Sequence, residues 1–183
     1  MKIVKIVAQV LGLVVIFFAV AMATLRFEHR NNDGPSILFP GGALVSGELH
    51  TGPEPDWSFT ADIQTIELEL DDSDSSRLIW IQNADGKAYV VSGYMDNFLG
   101  RLWKHWAVEA DEGSGRAVLR VGDTRYERQL IRIHEGDVLD GVAESVVRKY
   151  MGGNPTPEAI AGFRAAIESG NTWAFELAPR GDS

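Results

Sequence analysis

The chain contains no cysteine, and that absence closes several routes at once. It excludes a disulfide, a thiolate metal site and a cysteine nucleophile. Also missing are a G-x-S-x-G elbow, a P-loop and a G-x-G-x-x-G fingerprint. Their absence disfavours serine hydrolases of the elbow type, P-loop NTPases and Rossmann dehydrogenases. The four histidines, His29, His50, His105 and His134, lack the paired spacing of a zinc site. No internal repeat or low-complexity tract occurs, and no acidic residue precedes Glu28.

What precedes Glu28 is an apolar run. From Ile6 to Ala23 the chain reads IVAQVLGLVVIFFAVAMA, with Gln9 the only polar side chain. A helix of that length rises about 27–30 Å, the thickness of a bilayer's hydrocarbon layer. Two readings share this pattern. One is a signal peptide cleaved near Ala21-Met22-Ala23; the other is an uncleaved anchor, favoured because the run exceeds the ~7–15 apolar residues of a signal. Both send the rest of the chain across a membrane. Lys2 and Lys5 nearly balance Arg26 and Arg30, and the short basic tail points to an N-terminus inside. The expectation is a single-pass membrane protein with an extracytoplasmic domain.

Setting aside Lys2 and Lys5 leaves 15 of the 17 basic residues against all 26 acids, a net charge of −11. Such a surface disfavours nucleic acid, which needs clustered positive charge. Three segments are expected: residues 1–25 as anchor or signal, 26–42 as a Gly/Pro-rich linker, and 43–183 as one folded domain.

Within that domain strands dominate. ALVSGEL (Ala43–Leu49) reads as a short strand, and IQTIELEL (Ile63–Leu70) alternates with Ile66, Leu68 and Leu70 on one face. RLIWIQ (Arg77–Gln82) and KAYVVS (Lys87–Ser92) flank Asn83-Ala84-Asp85-Gly86, a strong hairpin signal. A second hairpin joins Arg116–Val121 to Thr124–His134 through Gly122-Asp123. Helical spacing returns at Val138–Tyr150, and Thr156 with Pro157 starts another helix running to about Ser169. NTWAFEL (Asn171–Leu177) closes the chain as a strand. The predicted fold class is mainly β with α. It is a small closed antiparallel sheet, because closure removes exposed edges, with one mid-chain helix and two C-terminal helices.

The segment SGYMDNFLGRLWKHW, Ser92–Trp106, carries the most chemistry. As a helix from about Asp96 it places Leu99, Leu102, Trp103 and Trp106 on one side, as core anchors. Arg101, Lys104 and His105 fall on the other. That basic stripe is either a solvated face or a site for a phosphate or carboxylate, with Arg101 as a fork and Lys104 as a point charge. Ser92 and Gly93 add a hydroxyl and an approachable backbone N–H. The carboxylates Asp71, Asp72 and Asp74 lack a calcium loop's glycine and its final glutamate, which here is Gln82, so no metal site is predicted. His134, Glu135 and Asp137 read as helix capping.

A strand ending in Ser-Gly, a helix carrying G-R-x-W, a loop and then RAVLRVGDxRYE resembles the split β-barrel superfamily. That group includes pyridoxamine-phosphate-oxidase-like flavoproteins and deazaflavin-dependent nitroreductases. The resemblance covers roughly Gly42 to Ile133 and is similar to membrane-anchored members. It implies a split barrel that usually dimerises with FMN or a deazaflavin at the subunit interface. By position, Ser92, Arg101 and Lys104 would contact the phosphate, while Trp80 or Tyr94 would line the ring pocket. Tyr94 to Gly100 separates Ser92 from Arg101, where the oxidases carry a compact Ser-Arg-Lys cluster. The implied function is a membrane-anchored oxidoreductase, nitroreductase- or quinone-reductase-like, acting on a small molecule. The alternative is a cofactor-free envelope domain that binds a ligand or is structural. No catalytic residue is assigned.

Overall fold

Two tight turns organise the middle of the chain. Ala84 pairs with Lys87, so the connection between their strands is Asp85-Gly86, both at positive φ (49° and 72°). That is the geometry whose twist matches paired strands, and glycine adopts it without a Cβ penalty. Val121 pairs with Thr124 across Gly122-Asp123, where Gly122 alone is at positive φ (59°). The computed structural model describes residues 2–181 apart from residue 74, and gives only the backbone of Lys2 and Trp103.

The elements follow as α1 (Lys2–His29), β1 (Glu48–Leu49), β2 (Thr65–Leu70), β3 (Ser75–Ala84), β4 (Lys87–Ser92), α2 (Phe98–Trp103) and α3 (His105–Glu112). They continue as β5 (Arg116–Val121), β6 (Thr124–Ile133), α4 (Val138–Tyr150), α5 (Pro157–Glu168) and β7 (Trp173–Pro179). The strand order β6-β5-β2-β3-β4-β7 closes through a β6–β7 ladder, giving a six-stranded antiparallel barrel. β1 adds a short parallel edge on β6.

Strand alternation decides what fills the barrel. Ile66, Leu68, Ile79, Ile81, Val90 and Leu119 point inward and are almost fully buried. Trp57, on a 3-10 turn, packs into the same core; its indole donates to Glu54, whose carboxylate also takes Arg128 at 2.8 Å. The outer faces of β3, β4 and β7 are covered by α4 and α5 through Tyr89, Leu139, Val142, Ile167 and Ala174. The N-cap of α5 is as expected, with Thr156 accepting from the Ala159 N–H. Asp137 occupies the N-cap position of α4 without a side-chain capping bond.

Three expectations change. The mid-chain helix is two helices, because Lys104 (φ −100°, ψ 37°) leaves the helical region between α2 and α3. That break rotates Trp106, Ala107 and Ala110 into the core and leaves Leu99 and Leu102 exposed, so these leucines are not core anchors. Secondly, only Glu48–Leu49 of the expected first strand is a strand. The N–H groups of Leu44 and Val45 are taken by the carboxylates of Glu69 and Asp33, which removes them from any ladder. Thirdly, the segment read as a linker is fastened down. Gly41 bridges to Ser76, Gly42 accepts from the Ser76 hydroxyl at 2.5 Å, and Asp33 takes Arg120 at 2.8 Å. Glu67 completes the Arg120 cluster through its Nε.

Among the described residues one helix, within α1, is long and apolar enough to cross a membrane, and none of its apolar stretch is buried against the barrel.

Candidate functional site

A cleft of 510 Å³ lies on the outer wall of the barrel. That volume is within the range of small-molecule sites, about 300–1,000 Å³. The alternation that sends Ile79 and Ile81 inward sends Leu78 and Trp80 outward, onto one side of the cleft. The C-terminal half of α4 and Phe163 of α5 form the other side. The β4–α2 loop and Lys104 edge it.

The aromatic wall is rigidly held. Trp80 and Tyr150 stack with ring centroids 4.3 Å apart and planes 6° apart. The Tyr150 hydroxyl is shared between the carbonyls of Gln64 (2.5 Å) and Ile81 (2.8 Å). Beside it, the Lys149 amine donates to the carbonyls of Thr60, Ile63 and Ile81. Together the two side chains tie the end of α4 to β2 and β3. Burial pushes the Tyr150 phenol up to about 12, so it stays a neutral donor. Burial also drives the Lys149 amine down to about 8, with Asp62 opposing the shift.

Tyr94 supplies a second aromatic edge from an unusual backbone. Its φ is +64°, a region that bulky side chains rarely enter. Strain of this kind persists only where the surroundings enforce it, and it concentrates at functional sites. Here the carbonyl of Tyr94 lies against Gly100, where an added Cβ would come within 1.5 Å of that oxygen. Only glycine fits at that point in α2.

Of the residues singled out in the sequence, Trp80, Gly93, Tyr94 and Lys104 line the cleft together. Ser92 and Arg101 are placed elsewhere. Ser92 is 1% exposed and its hydroxyl donates to Met95 Sδ at 3.3 Å, inside the core. Arg101 is exposed on α2 and does not line the cleft. Trp106, read as an anchor, is buried and also contributes to the cleft floor. Tyr150, Met151, Phe163 and Thr172 were not anticipated; the first three reach the site because α4 packs on β3 and α5 packs on α4, and Thr172 because it directly precedes β7. The α4 pattern foretold a helix, but nothing local to Tyr150 marks it as the partner of Trp80.

The donor set suits a planar ring better than a phosphate. Aromatic faces and apolar side chains dominate the walls, and Lys104 is the one cation lining them among the described residues. The Gly93 backbone is open, since an added Cβ there would meet only Thr172 Oγ1, at 3.9 Å. Lys104 and the Gly93 backbone are the groups at this cleft able to receive an anionic end of a ligand. On the acidic turn, Asp71 pairs with Arg180 and Arg116, and Asp72 accepts from the Ser114 N–H at 2.7 Å. That bond holds the Asp72 carboxyl below its ordinary range. Asp74 lies outside the described residues.

These features define a small antiparallel barrel carrying an apolar helix at its N-terminus and an aromatic cleft on its wall. No protein-family model matches the chain, and no curated protein matches it at a significant level. Among solved structures it is similar to the conserved hypothetical protein Rv2991 from Mycobacterium tuberculosis, at 17% identity and a TM-score of 0.49. That likeness covers 72% of this chain and 86% of the other. The barrel assignment rests on the strand ladders themselves.

Proposed function

We propose that the protein is a membrane-anchored split-barrel protein whose wall cleft binds a flavin-type cofactor, FMN or a deazaflavin, for reduction of a small molecule. The observation that carries this reading is the convergence of the Trp80–Tyr150 stack, Tyr94 and Lys104 on one 510 Å³ cleft. When bound, such a cofactor supplies the hydride chemistry, and the protein supplies orientation and electrostatics. Trp80 and Tyr94 would hold the ring by its faces, and Lys104 would attract the anionic end. Met151 and Phe163 would exclude water from the apolar wall. Under this reading α1 is the anchor, and the barrel stands on the extracytoplasmic side.

A cofactor-free binding domain is the second reading. It is favoured by the Ser92 hydroxyl being bonded to Met95 and by Arg101 lying off the cleft, which leaves Lys104 without a partner cation there. Titration of the full-length protein, in detergent, with FMN and with a deazaflavin separates the two. Saturable perturbation of the flavin spectrum supports the first reading. An unchanged spectrum with both cofactors sinks it.

A further inference from the structure

Five large apolar side chains are exposed around the place where α1 meets the barrel, and we propose that they seat this end of the barrel in the surface of the bilayer that α1 spans. The inference rests on the reading of α1 as a membrane anchor and adds to it a second, peripheral contact.

The first group follows α1 directly. Ile37 and Leu38 are 90% and 78% exposed at the tip of a turn closed by the Ser36 N–H on the Phe39 carbonyl. That turn lies against the last turn of α1, where the Phe39 and His29 rings are 5.5 Å apart. The second group is on α2, where Phe98, Leu99 and Leu102 are 72%, 73% and 64% exposed. A six-residue helix that turns its apolar side chains to water gains nothing from propensity alone. Grouped exposed apolar side chains, unlike single scattered ones, mark interaction sites.

Strand register brings both groups to one end of the barrel. Gly41 pairs with Ser76 at the start of β3, while β2 occupies the other edge of β3 there through Glu69. β4 runs along the same edge as Gly41, pairing Val90 with Ile81, and ends at Ser92 before the chain enters α2. The chain arriving from α1 and the chain leaving for α2 thus share one flank of β3. Continuity with the anchor is what selects a bilayer as the occupant.

Charge agrees. Arg26 and Arg30 line a groove at this end with Pro40, Gly41, Ser73 and Ser75, and Arg101 is exposed on α2. Apolar side chains at the headgroup boundary with arginine and lysine at the level of the phosphates is the pattern of an interfacial segment. Of the acids nearby, Asp71 is neutralised by Arg180 and Arg116, whereas Asp72 and Asp96 accept from the Ser114 N–H and the Asn97 amide and keep their charge, as does the exposed Glu28 of α1.

The absence of cysteine makes a direct test available, because each introduced cysteine is a unique thiol. Full-length variants Val15→Cys, Leu99→Cys and Asp123→Cys, carrying an environment-sensitive fluorophore, are placed in phosphatidylcholine–phosphatidylglycerol vesicles containing nitroxide lipids. Asp123 is at the β5–β6 turn, remote from β5's start at Arg116 beside Asp71. The expected result is blue-shifted emission and loss of most of the signal at positions 15 and 99, with position 123 unaffected. Quenching at 15 but water-like emission at 99 overturns the inference and leaves the anchor standing. A blue shift at 99 without quenching also overturns it, since a second copy of the chain then covers α2. Quenching at 123 as strong as at 99 defeats the assigned orientation. Failure at both 15 and 99 removes the anchor reading and the inference together.

Discussion

The rings of Trp80 and Tyr150 lie face to face, 4.3 Å between centroids, although 70 positions separate them in the sequence. One comes from the outer face of a barrel strand and the other from the last turn of a helix. The stack is therefore a product of tertiary packing, and it can be dissected. Tyr150→Phe keeps the ring but removes a hydroxyl shared by two carbonyls, and should cost about 1 kcal/mol of stability. Trp80→Ala, at a half-exposed site, should cost little more in stability but should weaken any ligand held by the ring face. Urea unfolding of both variants, set beside ligand titration, distinguishes the two effects.

Arg120 is the centre of the clasp that holds the segment after α1. It is 8% exposed and serves Glu67, Asp33 and Ser46 at once. Arg120→Ala should destabilise the barrel by about 2–3 kcal/mol, below the usual loss for a fully buried pair because both carboxylates can rehydrate. Arg120→Lys should recover little, since one ammonium cannot reproduce a planar fork. Chemical denaturation midpoints of the two variants check both statements.

Asp33 gives the clasp a pH dependence. The Ser46 hydroxyl first, then the Val45 N–H and Arg120, hold its carboxyl down at about 2 against the upward push of burial. A depressed folded-state value means the stabilisation is complete above the unfolded value of about 3.9 and is lost as pH falls towards the folded one. The stability difference between the native chain and Asp33→Asn should therefore be full at about pH 5 and reduced at about pH 2.5. Urea midpoints for both proteins at the two pH values provide the measurement.

Much of the fold could be read from local pattern. β4, β5 and α4 match their expected bounds because each is enclosed by strong signals: Asp85-Gly86, Gly122-Asp123 and the Asn154–Pro157 break. The segment after α1 was misread because its glycines and prolines look like a linker, whereas its order comes from Arg120 and Ser76, far along the chain. The Phe98–Trp106 periodicity was misread for a different reason. A continuous 3.6-residue pattern assumes a continuous helix, and the turn at Lys104 splits it. Of the residues named from the sequence, Trp80, Gly93, Tyr94 and Lys104 line one cleft; Gly93, Tyr94 and Lys104 follow β4 in the chain, whereas Trp80 was named from the resemblance alone. Tyr150 and Phe163 were not legible, since their role depends on how α4 and α5 dock.

The same geometry ranks the two basic residues of that segment. Lys104 lines the cleft and Arg101 does not. If an anionic ligand binds there, Lys104→Ala should weaken it by about tenfold or more, the worth of a hydrogen bond to a charged group. Arg101→Ala should leave affinity nearly unchanged. Isothermal titration of both variants tests the ranking.

The most direct measurement for the account as a whole is a spectral titration of the full-length protein in detergent with FMN and with a deazaflavin, run beside Trp80→Ala and Lys104→Ala. The account predicts saturable binding of one of these cofactors by the native chain and clear weakening in both variants. A native spectrum that both cofactors leave untouched, or binding that neither substitution alters, would contradict it.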